Sequence, residues 1–68
     1  MTLNDIILNA VGINEKTSII IKYQDNRGVV HLLAEGALFS DQVLYWSAYR
    51  VVKLAMDFDE NEAVFYIV

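Results

Sequence analysis

Apolar residues near the start of the chain recur with the period of an α-helix. Leu3, Ile6, Ile7, Ala10 and Val11 are spaced three and four residues apart, so they share one face. This spacing predicts a helix over the first twelve residues, with one apolar side that packs against the rest of the domain.

The residues at the two ends of this helix suit its boundaries. Thr2 can cap the start together with Asp5, in an acidic variant of the capping box that also favours the positive end of the helix dipole. Gly12 supplies the left-handed stop, and Ile13 can make the apolar contact that often follows it.

Two β-rich runs, 17–24 and 29–34, flank the segment 25–28 and predict the first hairpin. The Asn and Gly of this segment tolerate positive φ, as a tight turn requires. We expect Asp25 to face Gly28, because this register gathers apolar residues on one face. The resulting pairs are Tyr23 with Val30, Ile21 with Leu32 and Ile19 with Ala34.

A second pair of runs, 49–58 and 63–68, flanks the acidic segment 59–62 and predicts the second hairpin. A two-residue turn or a four-residue loop gives the same pairing, with Met56 facing Phe65 and Leu54 facing Ile67. The core face also receives Val52 and Phe58. The other face is expected to be half apolar and to carry Val51, Lys53, Ala55, Asp57, Val64, Tyr66 and Val68.

The stretch 35–48 between the hairpins has an ambiguous pattern. Gly36 is expected to break the second strand, and Ser40 can cap a short helix that begins at Asp41. The apolar run 43–46 suits a strand equally well, because short apolar runs do not reveal their period. We favour one or two helical turns.

Together these elements predict an α+β fold, with an N-terminal helix plus two β-hairpins forming an antiparallel sheet and a short helix between the hairpins. The sheet is expected to curl around Ile6, Ile7 and Trp46. Residues 1–68 are expected to form a single small domain, because domains rarely contain fewer than about 50 residues.

The segment Gly36–Trp46 (GALFSDQVLYW), followed by Val51 and the closing hairpin, resembles small uncharacterised proteins encoded by phages and prophages of Gram-positive bacteria. Their central segment has a Gly, an aromatic pair, an Asp and then Ile or Val before Leu; Leu38 replaces one aromatic here. The sequences Asn-Asp-Ile-Ile and Thr-Ser-Ile-Ile-Ile are similar too, so the resemblance spans most of the chain. It implies a phage-borne origin and no particular activity.

The chain has more apolar residues than a domain of this size can bury in its interior. Ala, Val, Ile, Leu, Met, Phe, Trp and Gly make up 37 of 68 residues, about 54% against roughly 45–50% in ordinary soluble domains. Small domains have the least interior to hold them. We expect part of this surplus to lie on a surface that contacts another chain; scattered single exposed residues are the alternative.

The composition of the chain argues against disulfides, metal sites, membrane spans and a secretory signal. Without Cys and with a single His, it offers no disulfide, thiolate metal site or zinc cluster, so no metal or cofactor is expected. No apolar run approaches the roughly 18 residues of a membrane span, and no basic region precedes an apolar core at the N-terminus. We expect a cytoplasmic protein without a membrane partner.

Catalytic chemistry finds little support, and we predict that the protein is not an enzyme. His31 is expected in mid-strand opposite Lys22, where the local sequence offers neither a nucleophile nor a third group to orient the imidazole. A pair of catalytic carboxylates would need a cleft, for which 68 residues leave little room.

The net charge of −4 arises from one place. Acids and bases balance over residues 1–55, which leaves Asp57, Asp59, Glu60 and Glu62. The spacing resembles half of an EF-hand loop but lacks its sixth-position Gly and twelfth-position Glu. These acids predict either a solvated hairpin tip or an anionic prong for a basic groove. The scattered bases and a pI near 4.6 argue against direct binding of nucleic acid.

Two functional hypotheses follow. In the first, the chain is a small acidic protein-interaction module that binds a host protein, with Tyr45, Tyr49 and Tyr66 as anchors and the four acids steering association. Trp46 is expected mainly to fill the core. In the second, the chain is a self-assembling structural module, a homo-oligomer whose C-terminal strand pairs or stacks across a two-fold axis. Its interface would contain Val64, Tyr66 and Val68.

Overall fold

Helices and strands alternate in the order α-β-β-α-β-β in the computed structural model, which describes residues 2–9 and 13–67. The elements are α1 (Leu3–Asn9), β1 (Ser18–Gln24), β2 (Val30–Ala37), α2 (Asp41–Leu44), β3 (Val51–Asp57) and β4 (Glu62–Ile67). The predicted helix, hairpin, short helix and hairpin are therefore confirmed as an α+β arrangement.

The four strands form one mixed sheet in the order β2-β1-β4-β3. Both hairpins are antiparallel, but β1 and β4 lie side by side in parallel, from Ser18 beside Glu62 to Tyr23 beside Ile67. The predicted purely antiparallel sheet is therefore wrong. Local pattern identifies the two strands of each hairpin, whereas the contact between hairpins depends on packing across the whole domain.

The central position of β1 and β4 follows from their alternating apolar residues. Ile19 and Ile21 of β1 are buried, as are Ala63, Phe65 and Ile67 of β4. Leu3 and Ile7 of α1 join the same core, together with Leu38 and Val43, while Trp46 and Ile6 pack against it half-buried. Both helices thus contribute buried residues to one face of the sheet, which we call the covered face.

The N-terminal cap forms as the sequence predicts. The N–H of Thr2 donates to Oδ2 of Asp5 at 3.1 Å, and the N–H of Asp5 donates to Oγ1 of Thr2 at 3.3 Å. The hydrogen bond from the Thr2 N–H lowers the pKa of Asp5. The N–H of Leu3 donates to the carbonyl of Tyr49, which ties this end of α1 to the segment before β3. The predicted contributions of Ala10, Val11 and Gly12 lie outside the described residues.

The first hairpin has a longer loop than its sequence suggests. Asp25 faces Val29 rather than Gly28, so three residues form the loop, and Gly28 adopts a φ of 83°. A three-residue loop with a left-handed last residue is a common hairpin connection. Oδ1 of Asp25 accepts from the N–H groups of Arg27 and Val29 and thereby fixes the loop.

This extra loop residue shifts the predicted register. Lys22 pairs with Leu32, so Leu32 lies on the face opposite the buried isoleucines and is exposed. An irregularity between Ile21 and Lys22 then restores the alternation, and Ile21 pairs with Ala34. The predicted pairings of Tyr23 with Val30, Ile21 with Leu32 and Ile19 with Ala34 are all wrong. Next to the loop the slip is one residue, which exchanges the two faces of β2. His31 consequently lies across from Tyr23 instead of Lys22.

The second hairpin keeps its predicted faces although its register differs by two residues. Asp57 pairs with Glu62, which leaves a four-residue loop at 58–61, and Leu54 pairs with Phe65. A shift of two preserves which side chains share a face, because the period of a strand is two. The exceptions are Val52, at a register irregularity, and Phe58, in the loop; both are exposed rather than core. Leu54 keeps its predicted face but is also exposed rather than core, because β3 is the outer strand of the sheet. Val51 packs against the core instead of facing away from it.

The segment between the hairpins forms the predicted short helix, with two local corrections. Ser40 precedes α2 but its hydroxyl donates to the carbonyl of Ala37 at 2.8 Å rather than capping the helix. Gly36 does not break β2, which continues through it to Ala37. A Cβ on Gly36 would lie 2.6 Å from Oγ of Ser40, so the glycine permits the chain to fold back closely.

Because of this close approach, we expect the effect of Gly36→Ala on the free energy of unfolding to have opposite signs in the presence and absence of the Ser40 hydroxyl. In the wild type it should lower the free energy of unfolding by about 0.5–1 kcal/mol, because the Ser40 hydroxyl must give up its bond to Ala37. In a Ser40→Ala background the same change should raise it by about 0.5 kcal/mol, because Ala disfavours the unfolded chain relative to Gly. Urea unfolding of the four variants measures this coupling; strictly additive effects would contradict it.

Candidate interaction surface

The second face of the sheet, which we call the open face, contributes no residue to the buried core. Strand alternation places Ile20 of β1 beside Val64 of β4, with Ala55 of β3 and Glu35 of β2 on either side. Ile20 and Val64 are half-buried by their neighbours, whereas Ala55 and Glu35 are exposed. An apolar stripe therefore crosses the centre of this face.

Charges of opposite sign lie along the two sides of the apolar stripe. One flank is a row formed by Leu32, Lys22, Tyr66 and Lys53, in which Nζ of Lys53 lies 5.1 Å from the centre of the Tyr66 ring. The other flank carries Glu62 and Asp57, which pair with each other across β4 and β3. The open face is thus basic at one end and acidic at the other.

The acidic end continues into the loop at 58–61, where Asp59 and Glu60 are exposed. Asp57 has a structural part here, because its Oδ1 accepts from the N–H groups of Asp59 and Glu60 at 3.1 and 3.2 Å. The loop therefore presents a compact group of carboxylates beside an apolar surface, and Asp57 also shapes the turn that presents them.

Six of the eight residues predicted as partner contacts lie together on this part of the molecule. Val64 and Tyr66 lie on the open face with Asp57 and Glu62, and Asp59 and Glu60 lie in the adjoining loop. Side-chain alternation along β3 and β4 was sufficient to predict which of their residues share the open face. A register error of two residues does not change that assignment, because successive side chains of a strand point to opposite faces. The predicted contact at Val68 lies outside the described residues.

The other two, Tyr45 and Tyr49, lie apart from that group. Both contact Trp46, at 4.9 and 5.0 Å between ring centres, and Trp46 packs against the core on the covered side of the sheet. Both tyrosines are exposed. The aromatic cluster therefore belongs to the covering layer, and a partner on the open face would not reach it.

Sequence reasoning missed two apolar contributors to the open face. Leu32 is 60% exposed because the three-residue loop shifts it there, and Ile20 lies at the centre of the stripe. The sequence signal was Gly28, whose position after Asn26-Arg27 also fits a three-residue loop with a left-handed last residue. That loop would have placed Leu32 beside Lys22.

His31 has an orienting partner that local sequence did not reveal. Its Nε2 lies 3.2 Å from Oδ2 of Asp25, and its ring stacks on Tyr23 with 6.1 Å between centres. The hydrogen bond with His31 lowers the pKa of Asp25, and the N–H groups of Val29 and Arg27 add to this effect. His31 is exposed and Asp25 half-buried, and their contact braces the hairpin loop.

The described surface includes two clefts of a size that could hold small molecules. One of about 420 Å³ is lined by Asn14, Glu15, Lys16 and Leu38, and another of about 220 Å³ lies between Tyr23, Val52 and Tyr66. His31 lines neither cleft. Within residues 2–9 and 13–67, no three His, Asp or Glu side chains converge as a metal site would require. Among these residues, no helix has the length and apolar character needed to cross a membrane.

Comparisons with protein families, with characterised proteins and with solved structures found no match to this chain. The surfaces described above are therefore interpreted from their own chemistry.

Proposed function

We propose that this protein is a small acidic, non-enzymatic protein-interaction module. The observation that carries the proposal is the open face, where an apolar stripe around Ile20 and Val64 lies on the side of the sheet away from both helices. The half-buried Ile20 and Val64 lie beside the exposed Ala55 and, one row away, Leu32, and apolar side chains gathered on one accessible face of a small domain are typical of a protein-binding site. Tyr66 adds a large amphipathic side chain of the kind enriched at binding hot spots.

The chemistry of the surface indicates the kind of partner. An apolar patch bordered by Asp59, Glu60 and Glu62 suits a protein that presents an apolar patch beside basic groups. The loop acids would speed the encounter and align the partner, while the stripe would supply the buried contact. The resemblance to phage and prophage proteins leads us to propose a host protein in this role.

The test compares proteins retained from a host lysate by tagged wild type with those retained by a Val64→Lys, Tyr66→Lys variant. A partner of the open face is retained by the wild type and lost with the variant, because two cations would have to be buried in the interface. Tyr45→Lys, an exposed change on the covered side, is the matched control and should retain the same protein. Equal retention by all three baits would exclude the open face as the site.

The purified partner then permits a test of steering. Asp59→Lys, Glu60→Lys and Glu62→Lys together should lower the association rate at low salt by roughly tenfold or more, and association should lose most of its salt dependence. Asp57 is left intact because it holds the loop. An unchanged association rate would remove the acidic loop from the mechanism without affecting the result for the stripe.

A further inference from the structure

The outer edge of β3 is an unpaired, largely apolar strand edge. β3 pairs with β4 on one side only, and it is the last strand of the sheet. The N-terminal segment reaches this end of the sheet at Arg50, where Thr2 forms an isolated bridge, and no described strand continues that contact along β3. Leu54 is 43% exposed and Val52 61% exposed. Such an edge is a template for pairing with another strand.

The sequence of this edge is symmetrical in a way that selects the partner. Residues 52–58 read Val-Lys-Leu-Ala-Met-Asp-Phe. Apolar residues lie at equal distances on the two sides of Ala55. The charged residue two positions before Ala55 is a lysine, and the one two positions after it is an aspartate. A strand of this kind is complementary to itself when a second copy runs antiparallel with the two Ala55 residues opposite each other.

We propose that two copies of this chain associate through antiparallel pairing of their β3 edges, centred on Ala55. In this register Lys53 of each copy lies opposite Asp57 of the other, so the dimer contains two such charge pairs. Leu54 lies opposite Met56. The two most exposed apolar residues of this segment are Val52, at the irregularity, and Phe58, in the loop after β3, and the same register brings them near each other at the ends of the paired stretch.

The two faces of the sheet agree with this register. Lys53 and Asp57 both lie on the open face, beside Tyr66 and Glu62, whereas Leu54 and Met56 lie on the covered face. Antiparallel partners share a face, so charged side chains meet charged ones and apolar side chains meet apolar ones. Because each copy contributes four strands, the dimer would contain one continuous sheet of eight strands.

Neither of the other strand edges serves as well. β4 lies between β1 and β3, so the pairing form of the predicted C-terminal interface is wrong; stacking through its face stays a prediction. The free edge of β2 carries a register irregularity near its middle, at Ile21 and Lys22 of the partner strand. In β3 the irregularity lies between Val51 and Lys53, at one end, and leaves residues 53–57 in regular pairing.

This inference concerns a second copy at the strand edge and is independent of the partner proposed for the open face. Sedimentation equilibrium of the full chain, over a hundredfold concentration range, measures the dimer directly. Lys53→Asp and Asp57→Lys should each weaken the dimer by roughly a hundredfold, because each variant alone places like charges opposite each other twice. An equimolar mixture of the two variants should recover dimers, since every Asp then meets a Lys.

The mixture also controls for folding, because Asp57→Lys removes the acceptor that holds the 58–61 loop. Lys22→Asp makes the same charge change on the same face but on an inner strand, and should leave the dimer intact. A monomeric wild type, single variants that still dimerise, or folded variants whose mixture stays monomeric would each overturn the proposal. Dimers lost with Val64→Lys but retained by both β3 variants would identify stacking of open faces instead.

Discussion

Phe65→Ala is expected to lower the free energy of unfolding by about 3–5 kcal/mol. Phe65 is fully buried in β4, between β1 and β3, and belongs to the core shared with Ile21 and Leu3. Truncation removes the ring of the largest fully buried side chain among the described residues. A domain of this length has a total stability of roughly 3–10 kcal/mol, so the substitution should remove about a third or more of it.

Urea unfolding monitored by Trp46 fluorescence measures this loss, and far-ultraviolet circular dichroism gives the folded fraction without denaturant. Phe39→Ala is the matched control: Phe39 is 60% exposed and outside the core, so its loss should change stability by less than about 0.5 kcal/mol. Similar effects of the two substitutions would mean that the covered face is packed differently from this description.

Asn61→Ala is expected to lower the free energy of unfolding by about 2–3 kcal/mol. Asn61 has a φ of 53°, and its side chain joins the starts of the two central strands. Its Nδ2 donates to the carbonyl of Lys16 at 2.8 Å, and its Oδ1 accepts from Oγ1 of Thr17, which is buried. Alanine loses both hydrogen bonds and also disfavours the left-handed backbone.

Asn61→Gly separates the two contributions, because it loses the same hydrogen bonds but accepts the backbone conformation. It should be less destabilising than Asn61→Ala by about 1 kcal/mol. Glu60→Ala, an exposed change in the same loop, should stay within about 0.5 kcal/mol of the wild type. Urea midpoints decide the matter: no loss in Asn61→Ala would show that this junction does not hold β1 beside β4.

The open face was only partly predictable from sequence. Val64 and Tyr66 could be placed there because the parity of β4 survives a register error of two residues. Leu32 was placed on the wrong face, because a single additional loop residue exchanges the faces of β2 and the sequence around Gly28 fits either loop length. The separation of Tyr45 and Tyr49 from that face depends on Trp46 packing into the covered side, which is a tertiary contact.

Residue spacing was enough to predict the local features: the α1 start with its Thr2–Asp5 cap, the two hairpins, and the side of β4 that is buried. These depend on residue spacing and on hydrogen bonds between residues a few positions apart. The parallel arrangement of β1 and β4, and the position of β3 at an edge, depend instead on packing across the whole domain. Such packing involves contacts between residues far apart in the chain, such as the hydrogen bonds of Asn61 with Lys16 and Thr17, which are 45 and 44 residues away. No local periodicity of the sequence encodes contacts of this kind.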